Sequence, residues 1–209
     1  MSRPRAFLIS IFSFLCVSCT TALPRPPADQ LQQLWQARAP GLLTIQHWEL
    51  RGRLAVRADE RGCQVSVLWR RDGERHNIRL SGPLGRGVLQ LTQDQSGAQL
   101  QDAEQQVLRA ASGEELLFRY TGWRLPVANL NYWVRGLPAP DGAAVTELDD
   151  LGRLKTLHQQ AWQVHYEEYA RVEGNELPSR LRLTSAANVG GGQPAMDVRL
   201  VIERWAQVQ

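Results

Sequence analysis

Cys19 is the residue whose surroundings most clearly specify a chemistry. Arg3 and Arg5 give the amino terminus a short positive stretch, an apolar run over residues 6–17 follows, and Ser18 precedes the cysteine. The run is too short to span a bilayer as a mature helix. A small residue just before a cysteine is the pattern of a bacterial lipoprotein signal. It implies cleavage before Cys19, a diacylglycerol on the sulfur and an acyl chain on the new amine. Cys16 stands where such signals usually carry Leu, and bulky Leu15 makes Cys16 itself a poorer acceptor. Thr20, and not Asp, follows Cys19. In lipoproteins of enteric type that implies release to the outer membrane.

The other reactive side chains assemble into nothing comparable. With Cys19 in a thioether, Cys63 is the remaining free thiol of the mature chain, so no internal disulfide is expected. Cys63 is expected in a turn after Arg61-Gly62, with no base or metal partner nearby in sequence. His47, His76, His158 and His165 lack metal-ligand spacing, and none of them is expected to hold a metal. Glu167-Glu168 and Asp149-Asp150 read as solvated pairs at turns. No G-x-S-x-G, C-x-x-C or H-E-x-x-H motif occurs, so a hydrolase or other enzyme is not expected. Gly82, Gly85 and Gly87 have the wrong spacing for a phosphate-binding loop, so no nucleotide drives the function.

Composition agrees with an envelope protein that does not bind nucleic acid. Two of the 24 basic residues fall in the leader, which leaves 22 against 21 acids and a net charge of +1. Lys155 is the single lysine, and the arginines are spread along strand faces without clustering. The expected organisation is a removed signal (1–18), a lipidated cysteine with a proline-rich tether (19–28) and one domain (29–209).

The elements that position this domain are mostly strands. Trp48, Leu50, Leu54 and Val56 alternate with Glu49, Arg51, Arg53 and Arg57. Val65, Val67 and Trp69, then His76, Ile78 and Leu80, then Leu89 and Leu91, form a three-stranded meander. Residues 98–101, 106–110, 153–158, 162–166, 180–183 and 196–203 supply more strands. Asn188 to Pro194 is a glycine-rich hairpin loop that should be mobile. Three short helices interrupt them. Asp29 can cap one that carries Leu31, Leu34 and Trp35 and ends at Pro40. Ser112-Gly113-Glu114-Glu115 is a capping box for a second, over 114–121, with Leu117, Phe118 and Tyr120 as buried positions and Gly122 as its stop. Pro126 opens a third over 127–135, whose stripe is Leu130, Trp133, Val134 and Leu137. Roughly nine to eleven antiparallel strands must curl into a barrel or part of one. Helices laid on the concave side enclose either a well-packed core or an unfilled apolar space, and spacing leaves both open.

One turn is unusual. Gly82-Pro83-Leu84-Gly85 joins two strands of the meander, with Pro and Gly where a type I turn wants them. Leu84 is left at the tip, where chains usually place Asn, Asp or Ser. A proline flanked by glycines favours holding Leu84 out over folding it back.

The strings VLWR and LSGPLGRG, the helix pair TGWRLPVANLNYWVRGLP, then LPSRLRL and the closing VRLVIERW resemble the outer-membrane lipoprotein receptor family LolB. The likeness covers nearly the whole mature chain in order. It implies a mainly β fold, an incomplete, half-open antiparallel barrel of about eleven strands with short helices covering an apolar concave face. It implies that the cavity takes acyl chains of triacylated lipoproteins from the periplasmic carrier LolA and that the protein inserts them into the outer membrane. The carrier shares the fold, and the lipidation cysteine and protruding loop favour the receptor. The family's exposed turn leucine matches Leu84, held by Pro83 and Gly85, with Gly82 where some members have Asn.

Candidate cavity residues are then Trp48, Leu50, Val67, Trp69 and Trp133. The expected protein is a monomer lipid-anchored to the periplasmic face of the outer membrane. Its only non-protein group is the lipid on Cys19. The competing readings are a lipoprotein carrying glycolipid or phospholipid, and a scaffold lipoprotein of an envelope assembly machine with a filled core.

Overall fold

The computed structural model describes residues 25–85, 87–187 and 194–206. The expected signal, Cys19, the first part of the tether and most of the glycine-rich loop lie outside the described residues.

Eleven antiparallel strands form one sheet in the order β6-β5-β4-β3-β2-β1-β11-β10-β9-β8-β7. They are β1 (His47–Ala58), β2 (Arg61–Asp72), β3 (Arg75–Ser81), β4 (Leu89–Asp94), β5 (Gly97–Gln101), β6 (Val107–Ala110), β7 (Ala144–Leu148), β8 (Leu154–Gln159), β9 (Trp162–Val172), β10 (Asn175–Ser185) and β11 (Met196–Ala206). β6 and β7 are the two edges and do not pair with each other, so the barrel is incomplete. Neighbouring strands in the order are joined by turns except at β1–β11, where the first strand meets the last. That pairing divides the sheet into a β1–β6 half and a β7–β11 half.

Period-2 patterning sets the faces. Trp48, Leu50, Val67, Trp69, Ile78, Leu91 and Leu100 are buried on the concave side, and cross-strand registers such as Leu50↔Trp69, Trp69↔Ile78 and Ile78↔Leu91 align them into rows. On the outer face Glu49 lies between Arg51 (2.7 Å) and Arg70 (2.7 Å). Burial alone would raise its pKa, but the hydrogen bonds from Arg51 and Arg70 hold it below the usual carboxylate range. At Gly52 the β1–β11 ladder shifts register, and a Cβ there would come within 1.9 Å of the Val201 carbonyl oxygen. Only glycine allows the two strands to approach so closely.

The turns fall on two rims. One rim, called here the loop rim, carries the β1–β2, β3–β4, β5–β6, β8–β9 and β10–β11 connections. The other, the base rim, carries β2–β3, β4–β5, β7–β8 and β9–β10. Helix α1 (Ala28–Leu43) lies across the base rim. Arg25 donates to the Leu148 carbonyl (2.9 Å), Leu34 sits against Gly152, Arg38 pairs with Glu176 (3.1 Å), and Leu42 and Ile45 are buried at the far end. α2 (Gly113–Thr121) and α3 (Val127–Trp133) cover the concave face.

Several expectations change. α1 does not stop at Pro40 but continues a turn to Leu43, where Thr44 N–H donates to the Pro40 carbonyl (3.3 Å). The ring removes one helical hydrogen bond without ending the helix. Asp29 is in the first turn, and the N-cap is Pro27, which has no side chain to cap with. Leu34 points outward and is 42% exposed. In α2 the N-cap half of the capping box forms, with Ser112 Oγ accepting from Glu115 N–H, while the Glu115 carboxylate pairs with Arg119; the buried pair is Leu116 and Leu117, and Tyr120 is 47% exposed. The stripe is therefore shifted by one residue. α3 ends at Trp133, and turns carry Val134 and Arg135 to Gly136 (φ 77°). Cys63 is in β2 opposite Val56, not in a turn, and Glu167-Glu168 lie inside β9. β7 has no alternation and escaped the sequence reading, because three of its five residues are polar or charged or small and four are exposed.

Candidate functional site

Between the sheet and the helices lies a crevice whose lining has no polar surface. Its floor is Leu50 and Leu54 of β1, Val67 and Trp69 of β2, Ile78 and Leu80 of β3, Leu183 of β10, and Val198 and Leu200 of β11. Its roof is Leu117 of α2, Leu125, Val127 and Leu130 at the start of α3, and Val134 just beyond it. Its volume is about 60 Å³, room for about four water-sized groups. That is far less than a fatty acyl chain occupies. The concavity among Arg57, Gln64, Asp197 and Arg199 is instead an open groove on the outer face with charged walls.

Four lining residues are only half-buried: Leu54, Leu80, Leu125 and Leu130. Leu54 and Leu80 lie towards the loop-rim ends of β1 and β3, so the crevice opens that way. The β3–β4 connection springs from the same place. Pro83–Gly85 form a single 3₁₀ turn, closed by Gly85 N–H donating to the Gly82 carbonyl (3.1 Å), with Gly85 at φ 73°. The backbone of Leu84 is thus held in a turn beside the mouth. Its side chain, like Arg86, lies outside the described residues.

The roof is fixed at one end by buried polar groups. Arg135 is 1% exposed and donates from Nε to the Asn131 carbonyl (3.0 Å) and from Nη1 to the carbonyls of Leu42 (3.1 Å) and Ile45 (3.0 Å). It therefore ties the end of α3 to the end of α1, satisfying carbonyls that a helix terminus leaves unpaired. Arg71, also buried, donates to Asn131 Oδ1 (3.2 Å), Gln46 Oε1 (2.6 Å) and the Gly73 carbonyl (2.7 Å). Burial, then the neighbouring Arg71, lower the Arg135 pKa to about 10, which leaves it charged near neutrality. Gln159 completes the anchor: its Oε1 accepts from Trp133 Nε1 (2.9 Å) and Ala139 N–H (2.9 Å), and its Nε2 donates to the Ala139 carbonyl (2.7 Å).

His76 borders the same cluster. Trp69 Nε1 donates to its Nδ1 (3.2 Å), and burial, then Arg71 and Arg135, push its pKa down to about 4. It is a neutral acceptor that orients a crevice-lining tryptophan. Among the described residues no group of three or more His, Cys, Asp or Glu could hold a metal.

Of the five side chains expected to line a cavity, Leu50, Val67 and Trp69 do. Trp48 and Trp133 instead sit in the packed core, both fully buried. Trp48 lies between Trp69 (5.2 Å) and Trp205 (5.4 Å), and Trp133 packs near Trp162 (6.5 Å). Nothing in the sequence singles out Arg71, Asn131, Arg135 or Gln159. The signal available was the polar spacing Asn129, Asn131 and Arg135 inside an apolar stripe, which reads as a solvated helix face until α1 is seen to cover it.

The comparisons agree with this geometry. A lipoprotein of Pseudomonas aeruginosa (strain LESB58) named "Outer-membrane lipoprotein LolB" is 40% identical over 173 residues, 83% of this chain and 80% of its own. The protein of the same name from Pseudomonas putida (strain W619) is 39% identical over the same shares. In solved structures, a LolA superfamily protein of Nitrosomonas europaea matches with a TM-score of 0.53 at 8% identity, over 87% of this chain and 94% of that one. A DUF1329 family protein of Desulfovibrio piger matches with a TM-score of 0.53 at 9% identity, over 87% and 93%. These two share the fold. The family model described as outer membrane lipoprotein LolB matches residues 46–205, from the start of β1 to nearly the end of β11, and the chain belongs to that family.

Proposed function

We propose that this chain is an outer-membrane receptor for lipoprotein localisation that accepts acyl chains in the crevice beneath α2 and α3. The observation that carries the reading is the wholly apolar crevice with half-buried leucines at a mouth beside the Pro83–Gly85 turn. The donor is the periplasmic carrier LolA and the cargo a triacylated lipoprotein. Cys19, with its N-acyl and S-diacylglycerol groups, keeps the protein on the periplasmic face of the outer membrane.

The chemistry is partition, without catalysis. Each methylene moved out of water contributes about 0.8 kcal/mol, so ten contribute about 8 kcal/mol. That gain opposes the cost of parting the roof from the floor. Because the crevice is small, cargo has to separate Leu117, Leu125, Val127 and Leu130 from Leu54, Val67 and Leu80. A site that closes again after release also helps expel its load. With no nucleotide motif, transfer runs downhill from the carrier to this crevice and then into the bilayer. Leu84 acts at the last step, dipping into the membrane surface beside the mouth.

The test mixes the chain from residue 20 onward with carrier loaded with a triacylated lipoprotein. Cargo should move to this chain, and adding outer-membrane vesicles should discharge it. Cargo that stays on the carrier while this chain is folded defeats the receptor reading. Leu84→Glu should accept cargo at the normal extent and discharge it at least several-fold more slowly. Discharge at the normal rate removes Leu84 from the mechanism.

A further inference from the structure

Besides Leu43 at the end of α1, two neighbouring leucines of the base rim are exposed for no reason internal to the fold. Leu34 on α1 is 42% exposed and Leu151 in the β7–β8 turn is 56% exposed. They belong to one surface, because Gly152, next to Leu151, packs so closely on Leu34 that a Cβ there would lie 2.5 Å from the Leu34 Cβ. The surrounding helix face is nearly free of charge. Between Ala28 and Leu43 the charged residues are Asp29 and Arg38, and Arg38 turns inward to Glu176 (3.1 Å). The other exposed positions include Gln30, Gln32, Gln33, Gln36 and Ala37, and all of them are uncharged, which makes them less costly to bring against a lipid headgroup layer than charges are.

The same surface is where the chain leaves for its anchor. Arg25 is fixed to the β7–β8 turn by a hydrogen bond to the Leu148 carbonyl (2.9 Å) and an ion pair with Asp150 (3.1 Å). Arg25 lies six residues along from Cys19, a reach of at most about 22 Å fully extended. β2, with twelve residues, is about 36–40 Å long, and at usual barrel tilts the two rims stand about 30 Å apart. With Arg25 docked, the anchor holds the base rim near the membrane. It cannot let the molecule stand upright on its loop rim.

We infer that the outer face of α1 and the β7–β8 turn form a membrane-resting surface for the bilayer that holds the anchor. Leu34 and Leu151 contact its lipid, and the crevice mouth and Pro83–Gly85 turn face away from it in the receiving state. This inference rests on the lipidation of Cys19 proposed above. Releasing Arg25 frees the nine steps of chain from Cys19 to Ala28, about 32 Å extended, which matches the rim-to-rim distance. Docking of Arg25 thus separates a state that receives cargo from one in which the loop rim can come down to the membrane.

The experiment uses the full lipidated chain, Cys63→Ser, in phosphatidylethanolamine/phosphatidylglycerol vesicles containing a headgroup spin-labelled lipid. Bimane is placed either on Gln36→Cys, in the outer face of α1, or on Glu60→Cys, in the β1–β2 turn at the loop rim. Mass measurement of the amino-terminal peptide first establishes whether Cys19 is acylated. An unmodified cysteine overturns the anchor reading and this inference with it. With the acyl groups present, quenching at position 36 should exceed that at position 60 severalfold. Leu34→Glu with Leu151→Glu should at least halve it, and Arg25→Ala should raise quenching at position 60. Quenching at position 60 equal to or above that at 36, or no response to the double glutamate variant, overturns the membrane-resting surface while leaving the receptor function standing.

Discussion

At the scale of single residues, buried polar groups give the clearest consequences. His76 has a pKa lowered from 6.5 to about 4 by burial and by Arg71 and Arg135. A depressed folded-state pKa means that the unfolded chain binds the extra proton first. The stability is therefore full above pH 6.5 and is lost as pH falls towards 4. Complete expression of such a shift is worth about 3 kcal/mol. Urea unfolding between pH 7 and 4.5 should show a fall that His76→Gln removes, since Gln can still accept from Trp69. Tyr166 is the opposite case. Its hydroxyl is buried and has no hydrogen-bond partner among the described residues, and burial, then Tyr169, drive its pKa well above the ordinary value. Tyr166→Phe should leave stability unchanged or raise it by about 1 kcal/mol in the same assay, because an unpaired buried donor is costly.

At the scale of elements, the roof has one fixed end and one loose end. The end of α3 is held through Arg135, Asn131 and Gln159, while its start carries the half-buried Leu125 and Leu130 and, among the described residues, is tied to α2 by Ala128 N–H donating to Glu114 Oε1 (3.3 Å) and by Arg124 over the Phe118 ring (4.0 Å). Opening should therefore pivot at Arg135. Arg135→Met leaves the carbonyls of Leu42, Ile45 and Asn131 unpaired and should cost about 3 kcal/mol, read from denaturant midpoints. Leu130→Asp, at the loose end, should fold with little loss yet weaken binding of a fluorescent fatty-acyl probe about tenfold or more. An unchanged probe affinity would place acyl binding elsewhere.

At the scale of the whole molecule, the incomplete sheet divides its tasks between two rims. α1 closes the base rim, and the mouth and the Pro83–Gly85 turn share the loop rim. A ligand bound only by the folded form stabilises it by about 2.7 kcal/mol at a hundredfold excess over its Kd. A soluble acyl-chain mimic should raise the unfolding midpoint accordingly, and to a lesser degree in Leu130→Asp. The increment should disappear when the mimic's chain is shortened to a few methylenes.

The period-2 runs of β1 to β4 and β9 to β11, the capping box of α2 and the Pro-Leu-Gly turn were legible in sequence because each is a local rule. Alternation, a cap hydrogen bond and a turn dihedral need only near neighbours. β7 was hidden because an edge strand with exposed faces has no alternation to show. The polar roof anchor was hidden because Arg71 and Arg135, 64 positions apart, become buried only when α1 crosses the base rim. The sequence by itself determined the strands other than β7, the family and much of the apolar floor. Only the tertiary structure decided which tryptophans line the crevice and which are core, that the crevice is small, and where its mouth lies. Those properties depend on how α2 and α3 sit on the sheet, a matter of contacts between residues far apart in the chain.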